Sequence, residues 1–413
     1  MAGGRKTRVV CISDTHNQTP KLPRGDVLIH AGDLTNQGSY SELKKTVEWL
    51  ERQDFEAKFV VAGNHDITLD GPFFRHNSQS WKWPSPQDAG MCRKLLTEST
   101  SITYLENAAT QIRLTSGTCF TVFGSPCTPK QGTWAFQYAG NQEAECVWSR
   151  IPDGVDVVVT HTPPKGHCDG TAEGLTDKRE GCPSLLKRLS QVRPKLNICG
   201  HIHGGWGVET VRWRLTPDDV SGNLVEDVAF WNEPGASSKK LFLVDLTIKS
   251  RAGRSLGCDA SLTRQRKPDS LQDGTRGQPD ASLAPDDKTA HQPRSGGERL
   301  VSSGRLADAG LGNNGALWGG GQAHVSGVGH GRPDEATQGP DDRDERGTCS
   351  DTDGDGQGAR TETTVVNAAY LGPRVGGRAV GYHKPIVVDM EFTVVGTRTN
   401  DQPPHLELDG LGS

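Results

Sequence analysis

The sequence feature that most constrains the fold is an apolar run that ends abruptly in residues able to bind a metal. Val9 to Ile12 are consecutive apolar residues, and Asp14 and His16 follow almost at once. An uninterrupted apolar run predicts a strand buried on both faces, because a strand with one exposed face alternates apolar and polar residues. Asp14 and His16 then lie beyond the carboxyl end of this strand, which is where open α/β sheets bind ligands.

The same arrangement recurs along the chain. Later apolar runs end in the same residue types, at Gly32-Asp33, Gly63-Asn64-His65-Asp66, His161 and Gly200-His201-Ile202-His203. Helical patterns lie between the runs, including a capped amphipathic stretch that begins at Ser41, whereas the Trp- and Pro-rich stretch 71–90 predicts an irregular loop. The alternation predicts an α/β fold, a four-layered α/β/β/α sandwich of two mixed sheets flanked by helices.

The polar residues at these strand ends have the chemistry of a metal site. They are Asp14, His16, Asp33, Asn64, His65, His161, His201 and His203. Carboxylate, amide and imidazole groups bind Mn²⁺, Fe or Zn, and the lack of Cys among them argues against a structural zinc site. One ion cannot use so many ligands, but two ions that share a carboxylate can. A lone His at a strand end is more often structural, yet five segments that end alike make that interpretation improbable.

With these motifs the chain resembles the calcineurin-like metallophosphoesterase superfamily over residues 8–216 and 363–396. Within it, the chain most resembles the metallophosphoesterase-domain-containing proteins related to the 239 brain protein, through Gly124-Ser125-Pro126, Trp134-Ala135-Phe136, Cys199-Gly200-His201-Ile202-His203 and Val366-Asn367-Ala368. The resemblance implies two divalent ions, one held by Asp14, His16 and His203, the other by Asn64, His161 and His201, with Asp33 bridging them. It also implies that His65 is catalytic and that Asp66 orients it.

The resemblance further implies hydrolysis of a phosphoester by a hydroxide held between the two ions. Asp33 is followed by Leu34 rather than by Arg-Gly, which disfavours a protein serine/threonine phosphatase. The net charge of −5 gives no strong signal for nucleic-acid binding. We therefore expect a phosphodiesterase acting on nucleotide-like or other small diesters. The alternative is a catalytically weak or inactive nucleotide-binding or scaffold protein with the same fold. Aromatic residues that either stack a nucleobase or simply pack are Trp81, Trp83, Trp134 and Phe136.

Composition divides the chain into four parts. Residues 1–250 are expected to form the first part of the core, 251–360 a low-complexity, disordered insertion, 361–398 the final strands and 399–413 a flexible tail. Residues 351–362 have the spacing of an EF-hand calcium loop, but no helical pattern flanks them, which favours an acidic linker. The N-terminal sequence, the irregular Cys spacing and the lack of a long apolar run predict a cytoplasmic protein without a membrane segment.

Overall fold

The computed structural model describes residues 4–170, 179–215, 223–234, 238–247, 360–375 and 378–394. The strands are β1 Gly4–Ile12, β2 Val27–Ala31, β3 Ala57–Val61, β4 Thr103–Tyr104, β5 Ala108–Arg113, β6 Cys119–Ser125, β7 Thr128–Pro129, β8 Gln137–Tyr138, β9 Val157–Thr160, β10 Leu196–Cys199, β11 Gly207–Trp213, β12 Val225–Phe230, β13 Phe242–Asp245, β14 Glu362–Asn367, β15 Arg374–Val375, β16 Arg378–Ala379 and β17 Ile386–Thr393. The helices are α1 Tyr40–Glu51, α2 Gly71–Asn77, α3 Ala89–Thr97, α4 Gly140–Trp148 and α5 Pro183–Val192.

Two mixed sheets form the centre of the fold. The first has the strand order β13-β17-β1-β2-β3-β4, and the second has the order β12-β11-β14-β10-β9-β6-β5. In the first sheet β1 to β4 are parallel, and β17 runs antiparallel to β1. In the second, β6, β9, β10 and β14 are parallel neighbours. Parallel neighbours end at the same edge of a sheet, so these strands bring their following loops together.

Three apolar clusters separate the layers. One lies between the sheets and contains residues such as Val9 and Ile29 of the first sheet and Val157 of the second. Another packs α1 and α3 on the outer face of the first sheet, and the third packs α4 and α5 on the outer face of the second. The predicted α/β/β/α sandwich is confirmed. Within the described residues, no helix is long and apolar enough to cross a membrane.

The structure corrects two local predictions. The first helix is capped by Ser39 rather than begun by Ser41, since the Ser39 hydroxyl accepts a hydrogen bond from the Glu42 amide and the Glu42 side chain bonds back. The stretch 71–90 contains α2 instead of only an irregular loop. Asp70 caps this helix by accepting from the amide of Phe73, and a proline lies in its first turn, where no donor is needed.

Strands from the end of the chain lie inside both sheets. β14 lies between β10 and β11, and β17 lies between β13 and β1. Arg8 of β1 donates two hydrogen bonds to Asp389 of β17, at 2.7 and 2.8 Å. The predicted low-complexity insertion and C-terminal tail lie outside the described residues, apart from residue 360. So does most of the 351–362 stretch, whose last residue, Glu362, pairs with Arg212 at 2.9 Å.

Candidate metal centre

The loops that follow five strands meet at one edge of the sandwich. The amide of Asp14 donates to the carbonyl of Gly32 at 2.9 Å, and the amide of Gly200 donates to the carbonyl of His161 at 3.0 Å. Four of the predicted ligands have left-handed backbone, with φ of 51° at Asp14, 42° at His16, 53° at Asp33 and 65° at His201. Such values are uncommon outside glycine and persist where the surroundings impose them. The chain therefore turns sharply at each strand end and directs these side chains to one place.

Two buried carboxylates form the middle of the cluster. Asp14 accepts the His201 amide, and its Oδ1 lies 3.2 Å from His203 Nε2. Asp33 accepts the His65 amide at 2.8 Å, and its Oδ1 lies 3.3 Å from His161 Nε2. Both carboxylates are at most 2% exposed. Two buried negative charges so close to imidazole nitrogens create a strong preference for positive charge at this position.

Three imidazoles are oriented in the way that metal ligands are oriented. The Nδ1 atom of His16 bonds to the carbonyl of Thr35 at 3.1 Å, that of His161 to Ala31 at 2.8 Å, and that of His203 to Gly372 at 3.1 Å. A carbonyl oxygen only accepts, so each Nδ1 carries the proton. Nε2 of each ring is left to bind a metal, which is the usual arrangement for a ligand histidine.

The residues present fit a metal ion. The Nε2 atom of His16 is buried and has no hydrogen-bond partner, although Asp33 Oδ2 lies 3.5 Å away. A buried nitrogen without a partner is unfavourable unless a ligand satisfies it. Groups of ligand atoms that lie within 4.8 Å of one another are Asp14–His16–His203, Asp14–Asp33–His161 and His16–Asp33–His65. All these ligand atoms are oxygen or nitrogen, as expected for Mn, Fe or Zn.

The surroundings keep two of the imidazoles in the neutral form, which is the form that binds a metal. Burial lowers the pKa of His16 to about 4 and that of His201 to about 3, so both rings are neutral at pH 7. Burial also lowers the pKa of His161, but the negative charge of Asp33 outweighs it and raises the pKa to about 9. Burial opposes ionisation of Asp33, yet His161 and His65 lower its pKa well below the usual range. In the metal-free protein, a proton on His161 thus balances the charge of Asp33.

Two glycines allow this close approach. A Cβ atom at Gly63 would lie 2.3 Å from Asp33 Oδ1 and 2.7 Å from His161 Nε2. A Cβ atom at Gly200 would lie 2.1 Å from Asp14 Oδ2. The backbone just before Asn64 and the backbone just before His201 can therefore come this close to the carboxylates only because neither glycine carries a side chain.

A family model described as calcineurin-like phosphoesterase matches residues 7–205. A UPF0046 protein of Caenorhabditis elegans is 34% identical over 218 residues, which are 50% of this chain and 72% of that protein. The chain belongs to the calcineurin-like phosphoesterase family. Metallophosphoesterase domain-containing protein 1 of Homo sapiens is 39% identical over 212 residues, 49% of this chain and 62% of that protein. The resemblance drawn from the motifs, including that to the metallophosphoesterase-domain-containing proteins, is confirmed.

One further relative differs in name from those above. The Probable rhamnogalacturonate lyase C of Emericella nidulans is 40% identical over 227 residues, which are 54% of this chain but only 20% of that protein. The matched part of the chain thus covers between a fifth and about three fifths of the length of these two relatives.

The structure brings the other predicted residues to the same cluster. Asn64 Oδ1 lies 3.1 Å from His161 Nε2, and the His201 ring centroid lies 5.1 Å from that of His161. His65 lies beside His16, with ring centroids 4.7 Å apart. The carbonyl groups that orient the histidines were not found by sequence reasoning, since every residue has a carbonyl and no side-chain signal marks these.

The role expected for Asp66 is corrected. Its carboxylate accepts from the amides of Gly63, Leu34 and Thr35 and from the Thr35 hydroxyl, at 2.7 to 3.1 Å. The ring of His65 bonds instead through Nδ1 to the carbonyl of Asn36, at 2.8 Å. Asp66 therefore joins the loops after β2 and β3 rather than orienting the His65 imidazole.

Proposed function

We propose that this chain is a dinuclear metal-dependent phosphodiesterase that acts on nucleotide-like or other small diesters. The observation that carries the proposal is the buried, unpartnered Nε2 of His16 beside Asp33, in a cluster where three imidazoles present Nε2 to two carboxylates. The family is that of phosphoesterases, and the proposal adds the number of ions, the type of ester and the roles of individual residues.

The contacts support a division of the ligands into two groups that share one acid. Asp14, His16 and His203 would hold one ion, with 3.2 Å between Asp14 Oδ1 and His203 Nε2. Asn64, His161 and His201 would hold the other. Asp33 reaches both groups, because one of its oxygens faces His16 and the other faces His161. When bound, two divalent ions would supply an activated water and neutralise charge on the phosphoryl oxygens.

We assign to His65 the role of giving a proton to the leaving oxygen. Its Nδ1 proton is bonded to the Asn36 carbonyl, so Nε2 is the nitrogen free to act. As water adds to phosphorus and the bond to the leaving oxygen breaks, His65 Nε2 would give a proton to that oxygen, while Nδ1 stays bonded to the Asn36 carbonyl. General acid catalysis of this kind contributes about 10²- to 10⁴-fold to a rate.

Replacement of the shared acid tests this function. We expect Asp33→Ala to abolish hydrolysis of an aryl phosphodiester in the presence of Mn²⁺, because both groups of ligands lose their common carboxylate, while the fold is retained. Activity is measured as release of p-nitrophenolate, bound metal by elemental analysis and the fold by circular dichroism. Near wild-type activity in Asp33→Ala would contradict the bridging role.

A matched control is another buried acid paired with a histidine. Glu209 is 7% exposed and bonds to His167 Nδ1 at 3.0 Å, outside the proposed ligand set. We expect Glu209→Gln to keep both metal and activity.

If the wild-type protein binds no transition metal and shows no metal-stimulated turnover, the alternative of a nucleotide-binding scaffold is favoured. Manganese, iron or zinc as the ions, a nucleotide as the substrate and a cytoplasmic location remain predictions from the sequence.

A further inference from the structure

The imidazole of His65 lies against an aromatic side chain from a distant segment. The Trp134 ring centroid is 4.1 Å from that of His65, and the planes are inclined by 35°. The His16 ring contacts the His65 ring edge-on, with ring centroids 4.7 Å apart and planes at 90°. The bond to Asn36 uses Nδ1, and among the described residues Nε2 makes no hydrogen bond.

Trp134 is itself held in a fixed relation to the metal centre. The next residue, Ala135, donates from its amide to the carbonyl of Asn64, at 3.3 Å. Phe136 donates from its amide to Asp70 Oδ2 at 2.8 Å, and its φ of +55° is unusual for so large a residue. Trp81 contacts the Trp134 indole, with centroids 4.9 Å apart. A strained backbone that the surroundings impose is typical of functional sites.

We infer that Trp134 is a positioning residue that holds the His65 imidazole with Nε2 directed at the leaving oxygen of the ester. The inference rests on the proposed function of His65 as the proton donor. Without the indole, the ring would keep its hydrogen bond to Asn36 and its contact with the edge of His16, but it would lose its contact with Trp134. Rotation about the side-chain bonds would then move Nε2 away from the leaving oxygen, while the metal ligands would stay in place.

The dependence of the rate on the leaving group separates positioning from a structural role. Methyl phenyl phosphate and methyl p-nitrophenyl phosphate have aromatic leaving groups of similar shape, but phenolate needs protonation more than p-nitrophenolate does. We expect Trp134→Leu to lower kcat for the phenyl ester about tenfold, and for the p-nitrophenyl ester less than about twofold, as loss of an aromatic contact of about 1.4 kcal/mol would give. KM should not change, and Trp134→Phe should restore most of the lost rate.

Two further variants make the outcome specific. In a His65→Gln background, Trp134→Leu should have no further effect, because the residue that it positions is gone. Trp231→Leu is a matched control: this partly buried indole packs against the core between the sheets and donates to Thr210 Oγ1 of β11 at 3.1 Å, so its loss should change neither rate. An equal loss on both esters, a rise in KM alone, or an additive effect in the double variant would overturn the inference.

A measurement without turnover distinguishes this inference from the proposed function. In protein labelled at histidine, Trp134→Leu should shift the His65 ring resonances, since the indole ring current is lost, whereas Trp231→Leu should not. Unchanged His65 resonances would refute the contact even in an active enzyme. Failure of the wild-type protein to hydrolyse either ester with Mn²⁺, Zn²⁺ or Fe²⁺ would refute the phosphodiesterase proposal and the catalytic consequence of the contact.

Discussion

A single added methyl group at Gly63 should disable the candidate site without removing a functional group. In Gly63→Ala, the new Cβ would lie 2.3 Å from both the amide nitrogen and Oδ1 of Asp33 and 2.7 Å from His161 Nε2. Ordinary contacts of a Cβ atom begin at about 3.4 Å, so Asp33 must move by about 1 Å. A displacement of that size at a reacting centre lowers a rate by about 10²-fold. Overpacking at a rigid position also destabilises a protein by about 1 to 3 kcal/mol.

The assay measures three quantities on the same protein. They are kcat for an aryl phosphodiester at saturating Mn²⁺, the number of bound metal ions, and the free energy of unfolding in urea. Gly71→Ala is the control, since its Cβ would meet only Arg75 Nη1 at an ordinary 3.5 Å, and we expect wild-type activity from it. If Gly63→Ala keeps full activity and its complement of metal, the close approach of this backbone to Asp33 is not needed and the reasoning is refuted.

Two predictions concern pH. Burial opposes ionisation of Asp389, but hydrogen bonds from Arg8 and Lys6 hold its pKa below the usual range. Its ionised form therefore stabilises the fold above the ordinary pKa near 4, and this contribution is lost as the pH falls. We expect Asp389→Asn to destabilise by about 2 kcal/mol in urea unfolding at pH 7 and by much less at pH 3; an equal effect at both would contradict the charge-based explanation. Because the pKa of His161 is raised to about 9, a metal must displace its proton, so Mn²⁺ affinity measured by calorimetry should rise up to about tenfold per pH unit between pH 6.5 and 8.5. Affinity that does not change with pH would show that His161 is not a ligand.

Much of the site could be predicted because the signal is local. An apolar run followed directly by Asp14 and His16, or by Asn64 and His65, is visible within ten residues. Parallel strands of one sheet end at one edge, so the convergence of these segments follows from the pattern alone. The partner of Asp66 could not be predicted in this way. A carboxylate beside a histidine in sequence points elsewhere when the turn after β3 directs it to the amides of Leu34 and Thr35.

Helix boundaries show the same limit. The pattern around Ser41 predicts a helix, but whether Ser39 or Ser41 caps it depends on which backbone amide the hydroxyl reaches. The stretch 71–90 is rich in turn-forming residues, yet it contains α2. The ring of Phe74 in this helix packs against Trp83, with ring centroids 5.6 Å apart. Contacts with distant residues outweigh local preferences of a few tenths of a kcal/mol per residue.

The sequence by itself determined the residue types at the strand ends, the alternation of strands and helices, and from these the α/β sandwich and the family. Only the tertiary structure decided which carbonyl groups orient His16, His161 and His203, and that the indole of Trp134 lies against His65. The physical reason is the distance along the chain between the residues that interact. Strand burial and loop position follow from neighbours along the chain, whereas the orientation of an imidazole depends on acceptors and rings that folding brings from segments up to about 170 residues away, as between His203 and Gly372.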